Sequence, residues 1–217
     1  MDARLIAWAR AVKRGKLPPL WFFTDSARAP DPLTVIANLP PGLCGVVFRH
    51  DDAPGRASLG RQVARLCRAR RLALVVAGDA RLAAALGAGL HLRGGRQAGW
   101  IKPPRLRTAS VHNAAQAVRA RRAGVAAAFI SPVFATASHP GAGVLGPLGW
   151  RRLARFIRPI RRFALGGISG ANIRALGRDC AGTGAIEALL SAPPEGAAKA
   201  LRVAADKSIE LMIKWCE

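Results

Sequence analysis

Polar side chains suited to catalysis cluster where the short apolar runs of this sequence end. All four histidines follow or lie within such runs, namely His50, His91, His112 and His139. An imidazole titrates near neutral pH, so these positions point to proton transfer. Ionisable residues at the same ends are Asp25, Arg49, Asp51, Asp52, Asp79 and Glu187. Each one alone could equally be a turn or helix-cap residue, but together they favour a polar pocket.

A glycine-rich segment follows the seventh apolar run. Residues 166–170 (GGISG) leave backbone N–H groups open to close approach by an anion, and a helix N-terminus after them adds partial positive charge. This pattern predicts a phosphate site. The alternative is a tight turn that needs glycine only for its backbone angles.

The elements that must position these residues alternate along the chain. Apolar runs of strand type cover residues 20–24, 45–48, 72–76, 89–92, 108–111, 126–130, 163–165 and 184–187, with helical segments between them. Eight units in 217 residues give about 27 residues each, which is typical of a βα repeat. Strands without polar alternation indicate a parallel sheet buried on both faces. We therefore predict an α/β fold, a single (β/α)8 TIM barrel with an extra N-terminal helix; an open doubly wound sheet is the alternative, although no GxGxxG follows the first strand.

The sequence predicts one domain over residues 1–217, because no linker separates blocks of different composition. We expect a helical N-terminal extension over residues 1–17, a barrel core over residues 18–192 and a C-terminal helix over residues 193–217. The N-terminal segment lacks the apolar core and cleavage site of a secretory signal. The cysteines have no metal-ligand spacing, which favours reduced thiols and a cytoplasmic location; they are Cys44, Cys67, Cys180 and Cys216.

The net charge calls for an explanation, since 34 Lys and Arg against 12 Asp and Glu give +22. A hydrophobic fraction of 51% excludes a charged disordered chain, and no apolar run approaches the roughly 20 residues of a membrane span. Most arginines fall on predicted helices, which form the outer ring of a barrel. Nucleic-acid binding by these faces is the alternative to a solvated surface, but no recognition motif accompanies them. We expect no nucleic-acid or membrane partner, and a homo-oligomer stays open.

Several segments, in chain order, resemble one enzyme family. They are residues 20–25 (LWFFTD), 85–92 (ALGAGLHL), 110–112 (SVH), 131–140 (SPVFATASHP) and 165–168 (LGGI) with Asn172. The first is similar to the opening strand of thiamine phosphate synthases and the related thiazole tautomerases. The others resemble that superfamily's motifs alalGAdGvHL, SvH, GPVFpTxTKp and iGGI. The resemblance runs from about residue 20 to residue 190.

The resemblance implies a role in thiamine biosynthesis as a Mg²⁺-dependent transferase. Such an enzyme joins a pyrimidine diphosphate to a thiazole phosphate with release of pyrophosphate, so its site mainly neutralises the departing charge. By the same resemblance, Arg49 holds pyrophosphate, while Gly166 and Gly167 seat the thiazole phosphate. Catalytic roles are implied for Arg49, Ser110 and His139, and substrate or phosphate contacts for His112, Thr136, Ser138, Gly166, Gly167 and Ile168.

The sequence departs from the family pattern at the diphosphate and metal positions. The family's QLREK, NDR and GQxD correspond to residues 47–51 (VFRHD), 77–79 (AGD) and 93–96 (RGGR). The metal carboxylates are thereby lost unless Asp79 serves as one of them, and the lysine of TxTK becomes His139. We hypothesise that Arg93 or Arg96 neutralises a phosphate where Mg²⁺ otherwise would.

Two other functions stay open. A catalytically silent barrel could bind a thiazole phosphate or thiamine phosphate as a carrier or sensor, and the altered metal positions favour it. A tautomerase-like barrel needs a proton carrier, but Pro132 stands where that branch has its histidine. His112 or His139 would then have to act in its place.

Overall fold

The computed structural model shows a closed barrel of eight parallel strands in chain order. It describes residues 1–13, 15–51, 53–95, 106–136, 141 and 143–190. The elements are α1 (Ala3–Val12), β1 (Leu20–Phe23), α2 (Pro32–Asn38), β2 (Cys44–Phe48), α3 (Arg56–Ala69), β3 (Ala73–Ala77), α4 (Ala80–Ala85), β4 (Gly89–Leu92), β5 (Arg107–Val111), α5 (Ala114–Arg122), β6 (Ala127–Ile130), α6 (Gly146–Ala154), β7 (Arg161–Ala164), β8 (Gly182–Ala185) and α7 (Glu187–Leu190). Short 3₁₀ helices cover Arg93–Gly95, Arg155–Ile157 and Ile173–Leu176. Within these ranges, none of the helices has the length and hydrophobicity that a membrane span requires.

Hydrogen bonding between the first and last strands closes the barrel. Leu20 of β1 is paired with Cys44 of β2 on one side and with Thr183 of β8 on the other. Most strand residues are buried, as a parallel sheet wrapped in helices requires. The predicted (β/α)8 barrel is therefore confirmed. The open doubly wound sheet is wrong, because its outer strands would not pair with each other.

Some element boundaries differ from the prediction. The sequence between the sixth and seventh apolar runs favours one helix over residues 148–157, but the structure has α6 and then a separate 3₁₀ turn there. Glu187, predicted inside the eighth strand, begins α7 instead, because β8 ends at Ala185. The helix predicted over residues 193–217 lies outside the described residues.

The outer helices turn their arginines to solvent, and α3 shows how. Arg61, Arg65 and Arg68 are exposed, whereas Val63 and Cys67 on the opposite face are buried. The helix thus presents a basic face to water and an apolar face to the barrel. This arrangement agrees with a solvated outer surface for much of the positive charge.

Large aromatic side chains fill the barrel interior, and glycines make room for them. Trp21 and Phe163 each meet Phe129 edge to face, with ring centroids 6.0 and 5.2 Å apart. A Cβ atom on Gly45 would lie 2.8 Å from the Trp21 indole, and one on Gly182 would lie 2.7 Å from the Phe163 ring. Small residues on some strands therefore match large residues on their neighbours, which fills a closed barrel at high density.

One histidine belongs to this interior. The side chain of His91 on β4 is buried, and its Nδ1 lies 2.8 Å from Thr108 Oγ1 on β5. The imidazole also meets Phe23 edge to face, with 5.5 Å between ring centroids. Burial, assisted by the nearby charges of Arg49 and Arg93, lowers the pKa of His91 to about 3. The imidazole is therefore neutral at neutral pH.

Replacing Gly45 with alanine should lower the free energy of unfolding by about 1–3 kcal/mol, because an added Cβ overpacks a filled interior. Urea denaturation measures the loss. Gly143→Ala is the matched control, since a Cβ there meets no atom of the described residues within 4 Å and the backbone is not left-handed. Equal effects of the two substitutions would contradict the packing argument.

His91 should make the folded protein sensitive to acid. Its pKa is about 3 in the folded state against 6.5 for an ordinary histidine, so below about pH 6.5 the unfolded chain binds a proton that the folded chain does not. This group should therefore remove up to about 1.4 kcal/mol of stability per unit of falling pH between about pH 6 and pH 4. His91→Gln should flatten the pH dependence of urea unfolding by that amount. Parallel pH profiles for the two proteins would exclude His91 as the cause.

Candidate active site

The carboxyl ends of the strands surround a cavity of about 930 Å³ at one mouth of the barrel. Its lining includes residues in or just after every strand, among them Phe23, Arg49, Ala77, His91, Ser110, Ser131, Gly166 and Gly184. Parallel strands of a closed barrel all end at the same mouth, which is where barrel enzymes carry their active sites. Of the polar residues noted at the strand ends, six therefore meet in this one place: Asp25, Arg49, Asp51, His91, His112 and Glu187.

Arg49, directly after β2, is held at this mouth by the end of β1. Its Nε donates to Thr24 O at 3.1 Å and its Nη2 to Asp25 Oδ2 at 2.7 Å. Nη2 of Arg28 donates to the same Asp25 oxygen at 3.0 Å. Burial by itself raises the pKa of Asp25, but hydrogen bonds from the two arginines outweigh it and lower the pKa to about 2. Asp25 is thus an ionised anchor for two guanidinium groups.

A second group of opposite charges follows β2, β3 and β4. Arg56, the first residue of α3, donates from Nη2 to Asp51 Oδ1 and from Nη1 to Asp79 Oδ2, both at 3.1 Å. The other oxygen of Asp51 accepts from Nη2 of Arg93, which lines the cavity. We call this group the charge chain: Asp79, Arg56, Asp51 and Arg93. The sequence alone does not reveal Arg56, because a basic residue that opens an outer helix looks like solvated surface.

The carboxylates of the charge chain do not fit a magnesium site. Asp79 is the metal ligand that the sequence left possible, but its Oδ1 accepts from Leu82 N at 2.8 Å and caps α4, while its Oδ2 holds Arg56. Mg²⁺ needs carboxylate oxygens that face the ion. Among the described residues, no group of three His, Cys, Asp or Glu side chains is arranged to hold a metal.

Ser110, at the end of β5, lies against the buried His91. Its Oγ is 2.7 Å from His91 Nε2, and the residue lines the cavity. The neutral imidazole is itself fixed by Thr108, so the Ser110 hydroxyl has a rigid partner. The sequence identified Ser110 but not the role of His91 behind it, since the contact joins two different strands.

His112, directly after β5, lines the cavity with an exposed side chain. Its Nδ1 lies 2.9 Å from Ser131 O and 3.2 Å from Ser131 Oγ, and a hydrogen bond to the carbonyl requires a proton on Nδ1. In the neutral ring, Nε2 then keeps its lone pair and can accept a proton or hydrogen bond. His50 differs, because it is buried against Thr24 and is not part of the cavity lining.

The glycine loop after β7 has the backbone angles of a tight turn and also lines the cavity. Gly166 and Gly167 have φ angles of +94° and +62°, and a Cβ on Gly167 would overlap Ala135 O. The turn therefore requires glycine at these positions. The loop also lines the cavity together with Ile168 and Thr136. In the part of the chain that the structure describes, the N–H groups of Gly167 and Ile168 have no protein acceptor. Two backbone donors are therefore open to an anion.

The predicted site residues divide into three sets. Those that the structure brings to the cavity are Arg49, Arg93, Ser110, His112, Thr136, Gly166, Gly167 and Ile168. Asp79 is described but does not line the cavity. Ser138, His139 and Arg96 lie outside the described residues. Their roles stay predictions from the family resemblance.

Two acids not assigned from the sequence also line the cavity. Asp2, the N-cap of α1, accepts from Gly170 N at 2.6 Å through Oδ2. Glu187 Oε1 lies 3.5 Å from Arg28 Nη1. The sequence around Asp2 is typical of a helix N-cap. Its contact with Gly170, 168 positions away, cannot be predicted from neighbouring residues.

Comparisons with known proteins agree with this geometry. The family model described as thiamine monophosphate synthase matches residues 24–189. A thiamine-phosphate synthase of Geobacillus kaustophilus is 34% identical over an alignment of 156 residues, and the match covers 67% of this chain and 70% of that protein. The structure of a thiamine phosphate pyrophosphorylase from Pyrococcus furiosus superposes with a TM-score of 0.66 at 26% identity, covering 79% of this chain and 86% of the other. A Bacteroides thetaiotaomicron protein of the same name shares the fold, with a TM-score of 0.51, 16% identity and coverage of 79% and 84%. The chain therefore belongs to the thiamine monophosphate synthase family.

Proposed function

We propose that this protein is a thiamine phosphate synthase-like transferase that joins a pyrimidine diphosphate to a thiazole phosphate and releases pyrophosphate. The observation that carries the proposal is the presence of two kinds of anion donor in one cavity. Guanidinium groups of Arg49 and Arg93 lie at the ends of β2 and β4, and the open N–H groups of Gly167 and Ile168 lie after β7. A volume of about 930 Å³ suits small-molecule substrates.

The arginines would act on the leaving group. In the proposed reaction, the bond between the pyrimidine methylene carbon and the diphosphate oxygen breaks, and its electron pair leaves with pyrophosphate. The thiazole nitrogen then donates its lone pair to the methylene cation, which forms the new C–N bond. Arg49 and Arg93 already have fixed carboxylate partners, so their remaining N–H groups can meet the growing negative charge with little reorganisation.

The other side of the cavity would hold the thiazole phosphate. We assign its phosphate to the N–H groups of Gly167 and Ile168, with Thr136 nearby in the lining. Ser110, held by His91, would fix a polar group of the pyrimidine, and His112 would offer Nε2 as an acceptor. Ser138 and His139 would complete the loop after β6, as the family resemblance implies.

Mg²⁺ is the cation that the family generally uses, and the described residues of this chain do not fit it. In the proposed reaction, the arginines and the backbone N–H groups therefore supply the charge neutralisation. The partners of the protein would be small phosphorylated molecules. We also propose a cytoplasmic location, because Cys44, Cys67 and Cys180 are buried free thiols.

The function is tested by incubating the purified full-length chain with the pyrimidine diphosphate and the thiazole phosphate, with Mg²⁺ present so that metal is not limiting. Thiamine phosphate should form, as measured by chromatography. If the protein binds the thiazole phosphate in calorimetry but forms no product, the catalytically silent binding barrel replaces this proposal.

Arg49→Gln should lower kcat/KM about 100-fold or more, because it removes a charged donor from the leaving group. Arg49→Lys keeps the charge without the planar fork and should recover part of the activity. Arg61→Gln is the matched control, since it removes the same charge from the exposed face of α3. Activity that falls equally in Arg49→Gln and Arg61→Gln would contradict the assigned role. Circular dichroism should be used to check that both variants are folded.

A further inference from the structure

We propose that Arg56 is a built-in cation that replaces the divalent metal: it neutralises Asp51 and Asp79 and positions Arg93 for a diphosphate. The site would then bind the diphosphate group without Mg²⁺. This inference rests on the proposed function for its substrate, but it concerns a residue that does not itself line the cavity.

Arg56 is fixed from several sides. Its side chain is only 19% exposed, and its guanidinium carbon lies 5.8 Å from the centre of the Phe48 ring. Besides its two carboxylate partners, Nη2 donates to Ala77 O at 3.1 Å. A guanidinium group held by an aromatic ring, a strand-end carbonyl and two acids has a fixed position in the fold, unlike a solvated surface charge.

Every oxygen of both carboxylates already accepts a hydrogen bond. Asp51 accepts from Arg56 through one oxygen and from Arg93 through the other. Asp79 accepts from Arg56 through one oxygen and from the N-terminus of α4 through the other. A divalent cation would require the same oxygens. It would have to compete with the guanidinium group of Arg56, whose positive charge already lies between the two acids.

Asp51 connects Arg56 to the cavity. It lies after β2 and engages Nη2 of Arg93, whose side chain is 57% exposed at the mouth. Gly78 makes room for the Arg93 side chain, because a Cβ at that position would lie 3.1 Å from Arg93 Nε. Arg93 thus has a defined position but keeps further N–H donors for a ligand. Arg56 acts through Asp51 as a positioning residue.

The charge chain contains two arginines and two acids, so its formal charge is zero. Removal of Arg56 leaves two carboxylates without their shared cation beside Arg93. These acids would repel a diphosphate and would also become available to Mg²⁺. Arg56→Gln should therefore convert a metal-independent site into a metal-responsive one, which a merely structural role would not produce.

Calorimetric titration with inorganic pyrophosphate tests this directly, in EDTA or in Mg²⁺, on the full chain. The unmodified protein should bind pyrophosphate in EDTA, and Mg²⁺ should leave the affinity unchanged or weaken it, because Mg²⁺ complexes free pyrophosphate. Arg56→Gln should bind at least about 10-fold more weakly in EDTA and recover most of that loss in Mg²⁺. Arg61→Gln, on the solvent face of the same helix, should behave like the unmodified protein. In the Arg56→Gln/Asp79→Asn double variant, the recovery in Mg²⁺ should disappear.

The inference is overturned if the unmodified protein binds pyrophosphate only with Mg²⁺, binds it at least about 10-fold tighter with Mg²⁺, or does not bind it at all. It is also overturned if Arg56→Gln folds and binds like the unmodified protein in EDTA. Should Arg56→Gln fail to fold, the titrations of the unmodified protein decide. Metal-free pyrophosphate binding without thiamine phosphate formation would contradict the proposed function alone, and thiamine phosphate formation that strictly needs Mg²⁺ would contradict this inference alone.

Discussion

Closure of the barrel depends on the match between the glycines of β8 and the aromatic side chains of its two neighbours. A Cβ on Gly182 would meet the Phe163 ring of β7, and one on Gly184 would meet the Phe23 ring of β1. Without side chains at these positions, β8 can pair with both strands while the aromatic rings fill the interior. Closure then brings all strand ends to one mouth, so residues as distant in sequence as Arg49 and Gly167 line the same cavity.

The net charge of +22 is distributed very differently between the outer surface and this mouth. On α3, Arg61, Arg65 and Arg68 face water, where they bear on solubility and association. At the mouth, acids balance the arginines: the charged residues of the lining are Asp2, Asp25, Asp51 and Glu187 against Arg28, Arg49 and Arg93. Carboxylates fix the direction of each guanidinium group before a ligand arrives, which lowers the cost of organising the site. Under the proposed function, the fixed positions of these guanidinium groups, rather than the amount of positive charge, would suit the mouth to a diphosphate.

Sequence patterns predicted the fold well because strand and helix signals are local. Eight apolar runs and the charged faces between them suffice for the barrel, and strand-end positions suffice to place Arg49 and Ser110 at its mouth. The charge chain could not be predicted in this way. Its contacts join the ends of different strands to the start of α3, so Arg56 has no local feature that distinguishes it from the solvated Arg61. His91 likewise reads as one polar residue in an apolar run, and only the pairing of β4 with β5 shows that it supports Ser110.

An arginine can replace a metal ion only in a reaction for which the cation supplies no more than a positive charge at a fixed position. Mg²⁺ offers both, and it can also bind and acidify water. Departure of pyrophosphate from a stabilised cation needs no activated water, because the leaving group carries away the electron pair and the nucleophile is a neutral nitrogen. Stabilisation of the departing charge is then the main demand on the protein, and fixed N–H donors meet it. Arg93, held by Asp51 and through it by Arg56, has the fixed charge and directed donors that this step requires.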